Sequence, residues 1–392
     1  MPAPFVRRRL AALRAASLFR DPPEVQTDDG VHGTVGGRPA TLFCSNDYLG
    51  LRLDARVRRA AGEAANRYGA GSGSSRLIAG SLPLHRELEE AVADWMGTGS
   101  ALVCSSGYQA NIALLQALPS RHDRVYSDAL NHASLIDGCR LSPARVRKVP
   151  HGDVAALDAA LADDAGRDGE RFVLSEGLYS MDGDRGPVAA QADTAQRHGA
   201  WLLVDEAHAI GVLGPGGRGV CAERGVSPLA RVGTFGKALG SHGAFIATDA
   251  ETRALLVNAG RTYIFTTALP PASMGAALEA LRIARSDEGD ALRARAVHNA
   301  RRVAQAASGL GFGLSGTDLD DPGPIVPILL GEAQVALDSA AALLDAGVYA
   351  KAIRPPTVPA GTCRLRVTVS ASHTEADLDL LIGALERLGS RR

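Results

Sequence analysis

Between residues 45 and 250, short apolar runs recur, each followed by a polar turn and then a stretch with helical spacing. The runs at 101–104, 124–127, 171–175, 201–205, 232–235 and 244–247 predict strands. They are continuous rather than alternating, so both strand faces are expected to be buried. That pattern predicts an α/β fold with a mostly parallel sheet flanked by helices. The clearest helix is Pro83–Met96: Ser81 is placed to cap it, Pro83 opens it, and Leu84, Leu88, Val92 and Trp95 form one stripe. In such sheets, ligands bind beyond the carboxyl ends of the strands.

The texture changes after Pro270-Pro271. Alanine-rich helical segments occupy 272–309, and a loop rich in Gly, Asp and Pro occupies 311–324. A strand (325–330), a helix (333–346), a strand (364–369) and a last helix (375–388) follow. The reading is a large α/β domain over 45–271, a smaller α+β domain over 272–392, and an N-terminal arm over 1–44. Residues 1–20 carry Arg7, Arg8, Arg9, Arg14 and Arg20 and no acid. The stripe Val6, Leu10 and Leu13 predicts an amphipathic helix lying on the protein, with an organelle transit peptide as the alternative.

Composition narrows the class. The 392 residues are 46% hydrophobic and 22% charged, which suits a globular protein with a full core. A net charge of −1 argues against a broad nucleic-acid or membrane surface. The five cysteines are scattered without a C-x-x-C pair, so no metal or disulfide framework is expected, and the reading is a reduced cytoplasmic protein.

The chemistry centres on Lys237, one of three lysines. It follows the apolar run at 232–235, while the run Trp201–Asp205 leads into Glu206-Ala207-His208. An acid at one strand end and a lysine at the next are what a pyridoxal-phosphate site needs. The amine forms the Schiff base, and a buried carboxylate keeps the pyridine nitrogen protonated. Arginine could not replace the lysine, because it stays charged and is a poor nucleophile.

Other motifs are weaker singly. Ser105-Ser106-Gly107-Tyr108-Gln109-Ala110-Asn111 follows a strand and opens a helix, so free N–H groups and small hydroxyls can cradle a phosphate; an ordinary turn is the alternative. His132 in Asn131-His132-Ala133-Ser134 is placed either to stack on a ring or to cap a helix. Ser180 lies in the polar loop after Glu176, where it can bond a ring substituent. Arg354-Pro355-Pro356-Thr357 offers a stiff two-pronged grip on a carboxylate, or is a surface loop.

In order along the chain, Ser45-Asn46-Asp47-Tyr48-Leu49-Gly50, Ser106-Gly107-Tyr108, Asn131-His132-Ala133-Ser134, Ser180-Met181-Asp182-Gly183, Asp205-Glu206-Ala207-His208, Thr234-Phe235-Gly236-Lys237, Thr266-Thr267-Ala268-Leu269-Pro270-Pro271 and Arg354-Pro355-Pro356-Thr357 resemble the α-oxoamine synthases, a branch of the fold-type I pyridoxal-phosphate enzymes. The resemblance implies pyridoxal 5'-phosphate on Lys237, with Asp205 at the pyridine nitrogen and His132 on the ring. It implies His208 and Ser180 at the ring oxygen, and Ser106, Gly107, Tyr108 and Thr234 at the phosphate end. Arg354 would take the amino-acid carboxylate, and Arg20 and Thr357 would face the acyl substrate. Thr266, Thr267 and Asn46 would reach the neighbouring subunit's site in a homodimer with shared active sites. The implied reaction is a decarboxylating condensation of L-alanine with a pimeloyl thioester of CoA or a carrier protein. Glycine with a short acyl-CoA, serine with a long one, and a non-catalytic cofactor-binding protein stay open as alternatives.

Overall fold

In the computed structural model, which describes residues 3–390, the apolar runs pair into a seven-stranded sheet. Its strands are β1 (Ser100–Cys104), β2 (Arg124–Asp128), β3 (Arg145–Val149), β4 (Arg171–Glu176), β5 (Trp201–Asp205), β6 (Ala230–Thr234) and β7 (Ala244–Thr248). Their spatial order is β1-β7-β6-β5-β4-β2-β3. Only β7 runs against its neighbours, pairing antiparallel with both β1 and β6. The β6-β5-β4-β2-β3 pairs are parallel. Strands of this sheet other than β3 are almost wholly buried, as their unbroken apolar runs require.

Two features of this sheet differ from the sequence expectation. The run Arg145-Val146-Arg147-Lys148 is absent from the expected strands, yet it forms the edge strand β3. Its first four residues are exposed, and edge strands tolerate charge because only one side pairs. The helix Pro83–Met96 forms as expected, but Ser81 is not its cap. Leu82 occupies that position and donates its N–H to His85 Nδ1 at 3.1 Å, while Ser81 Oγ accepts from Arg76 Nε at 3.2 Å.

Contacts divide the chain into two units. The larger takes 49–180 and 185–294. Its helices include α1 (Ala55–Tyr68), α2 (Pro83–Met96), α3 (Gly107–Ala117), α4 (Ala133–Leu141) and α5 (Pro271–Ala284). The composition change at Pro270-Pro271 placed α5 in the smaller domain, but contacts group it with the larger unit, where it packs on α1. Gly275 makes the close approach possible, since a Cβ there would come within 2.5 Å of the Ala60 carbonyl oxygen.

The smaller unit takes 1–48, 181–184 and 295–392, its first two and last two residues lying outside the described residues. The arm is therefore grouped with this unit rather than standing apart. It supplies strands Val25–Thr27, His32–Val35 and Arg38–Leu42, and Val348–Tyr349 adds to them in parallel. A second, antiparallel sheet has the order Ile325–Gly331, Cys363–Thr368, Lys351–Ile353. Phe43, Val303, Val326, Leu365 and Leu378 belong to its core. The expected N-terminal helix is present as Pro4–Ala15, but none of its residues is buried: of its apolar stripe, Leu10 is half-buried and Val6 and Leu13 are exposed. Among the described residues, no helix is long and apolar enough to cross a membrane.

Candidate active site

Asp205 ends β5 and is 6% exposed. Each of its oxygens is held. Oδ1 accepts the Ala207 N–H at 2.9 Å, and Oδ2 accepts Asn111 Nδ2 from α3 at 2.6 Å. Lys237 stands three residues past the end of β6 and is half-buried.

His132 is the residue before α4 and caps it, so the capping alternative is realised. Its Nδ1 accepts the Ser134 N–H at 3.2 Å and lies 2.8 Å from Ser134 Oγ. The residue is exposed. Desolvation lowers its pKa and Lys237 adds to that shift, while Asp205 opposes it. Those mutual influences place His132, Asp205 and Lys237 in one electrostatic cluster.

Helix α3 begins at Gly107 beyond β1, and Ser106 caps it by accepting the Gln109 N–H at 3.2 Å. A Cβ at Gly107 would meet nothing within 4 Å, so an anion can approach the backbone there. Tyr108 is exposed, and its hydroxyl donates to Asp137. Thr234 Oγ1 donates to the Gly243 carbonyl at 2.9 Å and accepts the Gly236 N–H at 3.1 Å, so its hydroxyl is engaged within its own turn. Ser180 and His208 are both buried, each 6% exposed. Thr266 is half-buried and Thr267 exposed, and Ser105 Oγ donates to the Thr267 carbonyl at 3.1 Å.

The remaining candidates lie in the smaller unit. Arg354 is buried and donates to the carbonyls of Ser17 and Phe19, with its Nε unpartnered. Arg20 is exposed and donates to the carbonyls of Leu18 and Pro355. Burial lowers the Arg354 pKa, and the nearby Arg20 cation adds to it. Two such cations on backbone carbonyls make a favourable setting for a carboxylate. Thr357 is exposed, three residues after Arg354. Asn46 Oδ1 accepts Arg366 Nη1 at 3.2 Å and the Tyr48 hydroxyl at 3.1 Å.

Three residues of this region had no assigned role in the sequence reading. Glu176 ends β4, is buried, and accepts the His132 backbone N–H at 2.5 Å through Oε1. Burial pushes its pKa well up and Asp205 adds to the rise, while the His132 N–H and Lys237 oppose it. Asn111 and Ser134 link Asp205 to His132 and are each 1% exposed. The one available signal was a polar residue on an otherwise apolar helix: Ala110, Ile112, Ala113, Leu114 and Leu115 surround Asn111 in sequence and are all buried.

A parallel sheet with one reversed strand, and a lysine, an acid and a helix start at its carboxyl edge, define the fold-type I architecture. The chain belongs to the aminotransferase class I and II family, which it matches over residues 38–385. It is 45% identical over 382 residues to the 8-amino-7-oxononanoate synthase of Geobacter sulfurreducens, covering 97% of this chain and 96% of that one. The 8-amino-7-oxononanoate synthase of Alkalilimnicola ehrlichii is 47% identical over 381 residues, covering 96% and 95%. Among solved structures, a serine palmitoyltransferase from S. paucimobilis with a bound PLP–myriocin aldimine aligns with a TM-score of 0.92 and 33% identity, covering 99% and 97%. The 8-amino-7-oxononanoate synthase of Francisella tularensis aligns with a TM-score of 0.76 and 30% identity, covering 90% and 97%.

Proposed function

We propose that this chain condenses L-alanine with pimeloyl-CoA, or the pimeloyl thioester of a carrier protein. The products are 8-amino-7-oxononanoate, carbon dioxide and the free thiol, in a cytoplasmic step of biotin biosynthesis. The observation that carries the substrate choice is near-full-length identity of 45% and 47% to 8-amino-7-oxononanoate synthases, against 33% to the serine palmitoyltransferase. The higher TM-score of the palmitoyltransferase supports serine with a long acyl thioester as the second reading.

The residues fit pyridoxal 5'-phosphate. A buried, doubly hydrogen-bonded carboxylate suits a protonated pyridine nitrogen, and the open helix start at Gly107 suits a phosphate. When bound, the group supplies an aldehyde that captures amines and a protonated ring that accepts the electron pair released at the amino-acid Cα. Asp205 holds the proton on the ring nitrogen. Ser106, Gly107 and Tyr108 bind the phosphate end, with Thr234 beside them once its hydroxyl turns. His132 covers one face of the ring, and His208 and Ser180 bond its oxygen. Lys237 Nζ tethers the aldehyde at rest, takes the Cα proton of alanine, and later returns one to the product. Arg354 grips the alanine carboxylate, while Arg20 and Thr357 face the acyl chain. Loss of carbon dioxide follows acyl transfer, because the new ketone stands β to the carboxylate.

A homodimer with shared sites completes this reading, with Thr266, Thr267 and Asn46 turned toward the neighbour. Exposure of Ile78 at 82% and Phe265 at 71% supports a covered surface there. The test is a grid of alanine, glycine and serine against pimeloyl, acetyl, succinyl and palmitoyl thioesters, scored by thiol and carbon dioxide release. Alanine with the pimeloyl thioester is expected to have the highest kcat/KM. A higher value for any other pair overturns the assignment.

A further inference from the structure

Asn111 is an unexpected residue where it stands. Asparagine is a weak helix former, and a buried amide costs free energy unless it is bonded. Yet it sits in the first turns of α3, 1% exposed, in an apolar run. Its Nδ2 donates to both Asp205 Oδ2 at 2.6 Å and Ser134 Oγ at 2.8 Å. The amide orientation is fixed by this, because the reverse orientation would press its oxygen against a carboxylate.

Ser134 carries the constraint onward. Its hydroxyl accepts from Asn111, so its own proton is free to point at His132 Nδ1, 2.8 Å away. The Ser134 backbone N–H reaches the same nitrogen at 3.2 Å. A hydroxyl can rotate, but a backbone N–H cannot. A proton on Nδ1 would face that N–H head-on, so the ring proton belongs on Nε2. Hydrogen bonding of the other ring nitrogen is the usual device that sets a tautomer.

We propose that Asn111 and Ser134 are positioning residues. They form a buried relay from Asp205 to His132 that fixes the carboxylate plane and holds the imidazole neutral, with its proton on Nε2. The role builds on the cofactor reading of Asp205 and His132. Asp205 is tied in place by a side chain from α3, and His132 by one from α4, so the two groups assigned to the edge and face of the ring are set as one unit. A purely structural asparagine would need no partner on a catalytic strand.

The test uses nitrogen NMR on the full chain labelled at its histidine ring nitrogens, with and without pyridoxal phosphate. The His132 signals are identified by their loss in His132→Asn. Wild-type protein should show Nε2 protonated. Ser134→Ala keeps the backbone N–H and with it the Nε2 proton, but it removes the hydroxyl bond to Nδ1, so the Nδ1 signal should move away from its wild-type position, and Ser134→Thr, which keeps the hydroxyl, should restore it. Asn111→Leu removes a buried amide without leaving a cavity, so it should fold. In the loaded enzyme, Asn111→Leu and Ser134→Ala should lower kcat by roughly 10- to 100-fold, as misplaced groups do, with the thioester KM unchanged and Ser134→Thr near wild type. Protonation of Nδ1 in the wild type, or Ser134→Ala matching wild type in both ring shifts and kcat, overturns the relay. If alanine and pimeloyl thioester prove to be the wrong substrates, the ring-nitrogen result is untouched, so the two failures are distinguishable.

Discussion

Glu176 and Asp205 are register partners on adjacent parallel strands, and both carboxyls are buried at the same sheet edge. They are nevertheless held differently. Asp205 receives two donors, whereas the bond found for Glu176 is from the His132 backbone N–H. Burial, with Asp205 adding to it, raises the pKa of Glu176 well above the usual range.

A stability prediction follows. A carboxyl whose folded pKa is raised favours folding most below its unfolded value and loses that contribution as pH rises toward the folded value. Cofactor-free wild type should therefore lose stability relative to a variant that cannot ionise at this position as pH rises above 4.5, the ordinary glutamate value, because the unfolded chain gives up the Glu176 proton while the folded one keeps it. Glu176→Gln keeps an acceptor for the His132 N–H and cannot ionise, so it should gain stability over wild type at alkaline pH. Glu176→Ala should lose about 1–3 kcal/mol by stranding that N–H. Denaturant melts of the three proteins at acid and alkaline pH measure both effects. A slope in Glu176→Gln equal to wild type would remove Glu176 as the cause.

Lys237→Ala should abolish borohydride trapping of the cofactor on the protein and lower turnover by about 10²–10⁴-fold, the usual range for a lost proton-transfer group. Peptide mapping of the reduced, labelled wild type should place the tag at position 237. A tag elsewhere would end the assignment.

Asp205→Asn should retain some cofactor but lose most exchange of the alanine Cα proton with solvent. An asparagine can keep its oxygen on only one of the two donors, Asn111 Nδ2 or the Ala207 N–H, so a modest loss of stability should accompany the change, and melts of the variant should read it. Exchange at the wild-type rate would remove the electron-sink role given to Asp205.

Arg354→Lys should raise the KM for alanine, with the thioester KM little changed, because an ammonium cannot reproduce a two-pronged carboxylate grip. A loss of roughly 1.5–3 kcal/mol is expected for a charged hydrogen bond. Steady-state kinetics with each substrate varied in turn reads the split. An equal rise in both KM values would point to a general disturbance.

Gly275→Val should lower the melting temperature without touching the chemistry. Even the first carbon of the side chain would press on the Ala60 carbonyl and on Ala64. Overpacking of this kind typically costs about 1–3 kcal/mol. Thermal melts of the variant and wild type decide it, and an unchanged midpoint would mean that α1 and α5 can separate at no cost.

The order of elements was legible because buried parallel strands write themselves as unbroken apolar runs. The edge strand β3 escaped because exposure leaves Arg145, Arg147 and Lys148 where apolar residues would otherwise stand. The same holds for the arm strands, such as His32–Val35, which carry little burial. The departure of α5 from the expected boundary has another cause. Alanine-rich helices look alike in sequence, and only the close approach of Gly275 to α1 reveals which neighbour this one prefers. At the site, Lys237 and Asp205 were readable because their residue types are dictated by chemistry. Asn111, Ser134 and Glu176 were not, since their meaning lies in partners 23 to 94 positions away.

The reversed strand β7 has a consequence of its own. Ala244 is level with Cys104 on one side and Thr234 on the other, so β7 stands between the turn that starts α3 and the turn that carries Lys237. Two interstrand steps of about 4.8 Å set the gap between those turns at roughly 10 Å. The backbone thus works as a ruler. Side-chain changes can retune what each turn grasps, but the reach between the anionic end and the reactive end of any bound molecule is written into hydrogen-bonded main chain.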